Sequence, residues 1–289
     1  MGNPSKTVTP QPGGHFLPLS PKRIKVKPLT KEKLVIRGIL LLLVLLSVYG
    51  FYSFDYKDIT LLSGITSTLA NFKVMFTEAH FVHFTFWDAV YQVFVTLGLA
   101  VLTTLFGGII ALFFALLAAQ NLSSVRVSNT IKGIVAFIRA VPTVLWVLIF
   151  AVAAGLGSVA AVVGMTFHSV GYLVKAYSES FEEMDNGVIE ALKASGASWW
   201  HIIFQAVIPS SITYLVSWTF LRFEINFGVA VAMGAAAGAG GIGFDMFMAS
   251  GFYLDLREIG TITYFILVVA VLLEVLAIQI KKRLKVTNI

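Results

Sequence analysis

The chain has 289 residues, 57% hydrophobic and only 12% charged, with a mean hydropathy of +0.86. Soluble domains carry about 25% charge, so this chain has too little polar surface for a water-soluble body of its length, and lipid is the solvent that fits. With no cysteine, a disulfide framework, a thiolate metal site and a cysteine nucleophile are excluded; the net charge of +6 gathers at the two ends beside apolar segments, which points to a membrane surface rather than nucleic acid.

Residues 1–33 are rich in Pro, Gly, Lys and Thr and lack periodicity. They read as a basic cytoplasmic tail whose Lys22, Arg23, Lys25 and Lys27 can lie on anionic headgroups. No small-x-small cleavage site follows the first apolar run, so residues 34–54 are predicted to be a retained membrane helix. An extracytoplasmic loop is predicted over 55–89. Further spans are predicted at 90–119, 131–154, 156–177, 210–236 and 259–280, within a core running from 90 to 280. Each is near or above the ~20 residues that cross ~30 Å of hydrocarbon. All must be helical to satisfy their backbones in lipid. The expected fold is therefore an all-α polytopic membrane protein with six transmembrane helices.

Lys and Arg set the orientation. Eight lie between Lys6 and Arg37, Arg126 and Lys132 follow the second span, and four close the chain in a basic tail over 281–289. Only Lys57, Lys73 and Arg257 fall on the other side, which places both termini in the cytoplasm. The loop over 178–209 is net acidic, with Glu179, Glu182, Glu183, Asp185 and Glu190 against Lys193. Its cytoplasmic side follows from counting helices, not from charge.

That loop reads as two short helices around a turn. Asp185 and Asn186 can cap the first, Gly196 permits a reversal, Ser198 can cap the second, and Pro209 starts the fifth span. The first helix is Ala-rich, so another protein surface can approach its backbone closely. Glu190, Ala191, Gly196 and Pro209 fall in the register Glu-Ala-Ala, three residues, Gly, nine residues, Ile-x-Leu-Pro, with Leu192, Ala206 and Ile208 replacing the family residues. The segment resembles the cytoplasmic coupling loop of bacterial ABC importer permeases. The resemblance implies a type I importer membrane domain whose loop, with Glu190, Ala191, Leu192, Gly196, Ala197 and Pro209, docks into a separate ATPase subunit.

The likeness continues in Arg139-Ala140-Val141-Pro142 with Trp146, in 220–226, in 238–244 and in 253–258, which look like the phosphonate-type permease subfamily. The stretch after Asn226, Phe227-Gly228-Val229-Ala230, is less polar than that subfamily's pattern. The resemblance implies a bacterial inner-membrane homodimer of permeases, two ATP-binding cassette subunits that hold ATP and Mg, and an extracytoplasmic solute-binding protein. The cargo it implies is phosphonate or a related phosphorus oxyanion, with methionine as the alternative within the family. An ion-coupled secondary transporter using Glu224 or Glu274 is the rival from another class.

Gly238 to Gly243 satisfies GxGxxG, but no strand precedes it and it follows a membrane helix on the outer side, so dinucleotide binding is rejected. No Gly-Lys-Ser or Gly-Lys-Thr loop occurs, so no cofactor is expected on this chain. His80 and His83 lack a supporting cluster, and no metal site is assigned. Ionisable groups within spans are functional candidates. Arg222 is predicted near mid-membrane, with Glu224 on a nearly opposite face. Glu274, Arg139, His168, a second copy or water are its expected partners. Either Arg222 favours an anion in the pathway or it fixes the bundle. Arg139, His168 and Asn226 complete the pathway candidates. Pro142 is expected to free the Ile138 carbonyl and kink the third span.

Overall fold

The computed structural model describes residues 30–54 and 60–286. The predicted tails thus lie largely outside the described residues. The chain divides into two units, residues 1–61 and 62–289.

The first unit contains α1 (Lys31–Ser53), which buries no residue and is apolar on every side. A helix greasy all round is a membrane span, because no water-facing stripe is needed. The second unit contains α2 (Leu61–Thr77), α3 (Phe86–Ala118), α4 (Val125–Ala140), α5 (Thr143–Ala154), α6 (Ser158–Glu182), α7 (Asn186–Ala194), α8 (Trp199–Ile202), α9 (Ile208–Ala237), α10 (Ile242–Met248) and α11 (Leu256–Val286). Wider π turns cover Ile203–Val207 and Ala249–Tyr253. By length and composition five helices can cross a membrane, or six if the bent pair α4–α5 forms one span.

The bundle is built on α3, α6 and α9. Small residues let α3 and α6 approach closely: a Cβ on Gly107 would lie 3.0 Å from that of Ser169. In lipid such approach replaces the hydrophobic drive that assembles soluble bundles. One apolar cluster fills the end where α3 stops, joining Ala115, Leu173, Phe181, Ile189, Ile203 and Leu215. Another joins Ala89, Val93, Ile242, Ala249 and Ile262 at the opposite end. A Thr85–Asp88 capping box starts α3 there, satisfying donors that the first turn would leave bare.

Three sequence expectations change. The span predicted over 131–154 is broken, with α4 and α5 meeting at 90°. Val141 before the proline is extended, and Pro142 has no N–H to hold the Ile138 carbonyl, which instead accepts the Trp146 indole N–H at 3.0 Å. The loop predicted over 55–89 contains α2, whose far end docks on α11: the Tyr264 hydroxyl donates to the Phe76 carbonyl, and the Phe76 and Tyr264 rings meet edge to face. Finally, α6 extends to Glu182, so the segment between spans opens five residues later than the predicted 178.

Candidate functional site

Two places combine polar or charged side chains with built geometry, one exposed and one buried. The first is the segment from Glu183 to Val207. Asp185 caps α7 by accepting the Gly187 N–H at 2.8 Å, and Ser198 caps α8 by accepting the His201 N–H. Between them Gly196 sits at φ +83°, where a Cβ would be strained. Its N–H reaches the Lys193 carbonyl and the Ala197 N–H reaches that of Leu192, both at 3.0 Å, the paired bonds of a Schellman turn. Pro209 begins no new rod: α8, the π turn and α9 run on as one 39-residue helix, Trp199–Ala237.

One side of α7 is anchored and the other is bare. Ile189 is 2% exposed in the apolar cluster, while Val188, Glu190, Ala191, Lys193 and Ala194 are exposed; Leu192 and Ala197 are half-buried. The Trp199 indole donates to the Leu122 carbonyl at 2.9 Å, tying the segment to the α3–α4 loop. Glu182, which sequence reasoning left without a role, organises the same end. It accepts from the Gln120 N–H at 2.8 Å and from Lys132 Nζ at 2.7 Å. A polar cavity of about 450 Å³ opens here between Gln120, Asn121, Glu182, Asn186, Glu190 and Lys193. A short helix with an exposed outer face of mixed alanine and charged residues and a buried apolar root is suited to enter a groove on another protein.

The second place lies at the middle of α9. Arg222 is 3% exposed and Asn226, one turn on, is fully buried. Arg222 Nε donates to Ser169 Oγ at 3.0 Å, Ser169 Oγ donates to Asn226 Oδ1 at 3.1 Å, and Asn226 Nδ2 donates to Thr104 Oγ1 at 2.9 Å. The chain of donors ends on the Ala100 carbonyl. The guanidinium also lies 5.1 Å from the centre of the Tyr172 ring. Of the partners expected within the chain, Glu274 is exposed on α11, and it is Ser169 and Tyr172 of α6 that hold the arginine. Among the described residues no carboxylate pairs with Arg222, and its Nη2 is buried without a partner.

His168, half-buried on α6, lies within electrostatic reach of both Arg222 and Arg139 and meets the Val141 backbone beside the elbow; its Nδ1 has no partner. Arg139 is exposed at the end of α4. Glu224 is half-buried two residues beyond Arg222 and takes no part in this chain of bonds. Sequence reasoning singled out Arg222, Asn226, His168 and Arg139 and did not name Ser169, Tyr172 or Thr104. The i, i+4 spacing of Arg222 and Asn226 was the available signal.

The opposite end carries a third polar cluster, outside the spans' centres. Glu258 is fully buried and accepts from the Val82 N–H, the His83 N–H and His83 Nδ1, at 3.1, 2.7 and 2.8 Å. The His83 ring stacks on Tyr253 at 3.7 Å. Asp245 of α10 has a buried oxygen without a partner, and burial, with the charges of Asp88 and Glu258, pushes its carboxyl up to about 6. The glycines of 238–243 turn the chain: Gly241, at φ +74°, faces Thr96, whose hydroxyl accepts the Ile242 N–H at 3.0 Å.

Comparison with known proteins agrees with this architecture. A family model described as a binding-protein-dependent transport system inner membrane component matches residues 107–285. The phosphate-import permease protein PhnE of Mycolicibacterium smegmatis is 31% identical over 190 residues, which cover 65% of this chain and only 35% of that protein. The phosphite transport system permease protein PtxC of Stutzerimonas stutzeri is 29% identical over 191 residues, covering 66% and 69%. A probable D-methionine transport system permease protein MetI, from Pasteurella multocida, is 26% identical over 196 residues, covering 61% and 89%. Among solved structures, the inward-facing methionine ABC transporter MetNI aligns with a TM-score of 0.64 at 22% identity, over 71% of this chain and 99% of that one. A bacterial alginate ABC transporter aligns with a TM-score of 0.59 at 13% identity, over 87% and 98%. At such identities the likeness is one of fold.

Proposed function

Because the chain belongs to the family of binding-protein-dependent transport system inner membrane components, we propose that it is the membrane subunit of an ATP-driven importer for a small phosphorus oxyanion: phosphonate, phosphite or phosphate. The observation that carries the importer reading is the Glu183–Val207 segment, a capped helix rooted by Ile189, bare on its outer face and fused to a membrane span. In this reading the bare face of α7 docks on an ATP-binding cassette subunit, which binds ATP and Mg and does the hydrolysis. Two copies of the chain sit in the bacterial inner membrane with both termini in the cytoplasm, and a solute-binding protein delivers cargo from outside. The docked segments then move as the ATPases close, and the helices rock between inward- and outward-open states.

The named relatives for phosphate and phosphite support the cargo. The buried, carboxylate-free Arg222 is compatible with an anion crossing the bundle. The test is reconstitution of the permease with its ATPase and binding protein in vesicles. Uptake should need ATP and saturate with phosphite, a phosphonate or phosphate. Calorimetry of the binding protein with the same compounds and with methionine identifies the cargo. Binding of methionine alone refutes the phosphorus reading, and uptake without nucleotide refutes the ATP-driven one.

A further inference from the structure

We propose that Arg222 is an oxyanion-binding station inside the membrane domain, held ready by Ser169 and Asn226 and reached past His168 from the α4–α5 elbow. The inference rests on the importer reading and adds a site within it.

The side chain is built as a donor without an acceptor. Its Nε is used, binding Ser169 Oγ, and every later donor in that chain points away from the guanidinium toward the Ala100 carbonyl. This fixes the plane of the fork while leaving Nη2 buried and unpartnered. A guanidinium stays charged at physiological pH, and burying one without a counterion is costly. An arginine placed only to lock helices would be expected to spend its terminal nitrogens on a carboxylate or on carbonyls; here the described residues supply neither to Nη2. What the unpartnered Nη2 can take is an oxygen of a phosphorus oxyanion or carboxylate.

The surroundings add a route. Arg139 is exposed, His168 is half-buried, and Arg222 is buried, so the basic groups form a series that deepens into the bundle. His168 Nδ1, like Arg222 Nη2, has no partner. The wall beside His168 is the Val141 backbone, at the point where α4 and α5 part at 90°. Among the described residues no backbone hydrogen bond crosses that joint, and the Trp146 indole bridges it by reaching the Ile138 carbonyl and meeting the Phe137 ring edge to face. The joint is therefore the place where the wall can open, because two rods meet there without a shared backbone ladder.

The experiment uses the complete permease–ATPase complex. Thermal unfolding is recorded in chloride and in phosphite, phosphate, sulfate or methionine at equal ionic strength, for wild type, Arg222→Gln and Arg222→Lys. Phosphate loops of the ATPase also bind oxyanions, so the readout is the part of the shift that disappears with Arg222. Oxyanions are expected to stabilise the wild type more than Arg222→Gln. In vesicles Arg222→Gln is expected to lose tenfold or more of uptake while ATP hydrolysis stimulated by the binding protein persists. Arg222→Lys keeps the charge that assembly needs and loses the planar fork, so it is expected to assemble with a reduced shift; it carries the test if Arg222→Gln does not assemble. Equal shifts in the wild type and an assembled variant, with unchanged KM and Vmax for uptake, overturn the station while leaving the cargo reading intact. An Arg222-dependent shift in a complex that transports no oxyanion overturns the cargo reading and upholds the station.

Discussion

Replacing Gly196 with alanine tests the proposed docking segment with the least disturbance elsewhere. A Cβ at this position would meet nothing within 4 Å, so no clash arises. The cost is purely conformational: φ is +83°, and an L-residue held in the left-handed region costs about 1–2 kcal/mol. The bonds at stake are those from the Gly196 and Ala197 N–H groups to the Lys193 and Leu192 carbonyls. Penalising that turn by 1–2 kcal/mol lowers the equilibrium constant for the docking geometry by a factor of about 5–30, the ceiling on the loss of association. The helix content of the spans should be untouched, because α6 and the fused α8–α9 rod lie outside the turn. The assay is titration of the purified ATPase subunit against permease in detergent or nanodiscs, with transport-coupled hydrolysis measured in parallel. Gly196→Ala should weaken association by up to 5- to 30-fold, and Gly196→Asn, which tolerates the left-handed region better, should weaken it less. Wild-type association by Gly196→Ala in a correctly folded permease would refute the argument that this turn sets the docking face.

Other outcomes follow from close approaches and buried charge. A Cβ on Gly164 would lie 2.5 Å from the Val147 backbone, so Gly164→Ala should push α5 off α6 and cost about 1–3 kcal/mol, seen as a lower Tm in detergent. Glu258→Ala leaves the Val82 and His83 N–H groups without their acceptor; a loss of about 3 kcal/mol is expected, with the 78–85 segment newly open to limited proteolysis. Asp245 holds its proton up to about 6, above the usual 3.8, because of burial and then the charges of Asp88 and Glu258. The folded state therefore binds the extra proton between these values, and the stability it brings is lost as pH rises through 6. Asp245→Asn should flatten that dependence, gaining Tm on the wild type at pH 7 relative to pH 5.

The spans were legible because a lipid solvent imposes long apolar runs, and the local signals within the docking segment were legible because caps and turns act over three or four residues. Asp185, Gly196 and Ser198 take up the roles their types imply. Pro142 was read as a kink, but the size of the bend was not, since a 90° angle depends on what α5 packs against. Helix α2 was missed because Ser63, Thr66, Ser67, Asn71 and Lys73 interrupt its apolar pattern. The partners of Arg222 were missed for a different reason. Ser169 lies 53 residues away, and a serine hydroxyl gives no sequence sign of the cation it serves. Charge-based reasoning named ionisable residues, a second copy or water, and among the ionisable residues Glu274 is exposed. For Glu258, buried against backbone donors of a loop 175 residues distant, no local pattern existed at all.

Under the proposed docking, the continuous 39-residue helix from Trp199 to Ala237 would act as a lever. At 1.5 Å per residue its two ends stand about 57 Å apart, and Arg222 lies about 35 Å from Trp199. Under the proposed docking, a tilt at the Trp199 end travels to the arginine along this arm, less whatever the wider turn at Ile203–Val207 absorbs. A tilt of about 5° displaces Arg222 by about 3 Å, comparable to a hydrogen-bond length. The wider turn over Ile203–Val207 is the one stretch of altered pitch in the arm, and it lies on the near side of the load. Because the Trp199 indole also grips the Leu122 carbonyl, the same push is delivered to the foot of α3, whose Thr104 holds the far end of the arginine's hydrogen-bond chain. Under the proposed docking, force applied at that surface would reach both ends of that chain together.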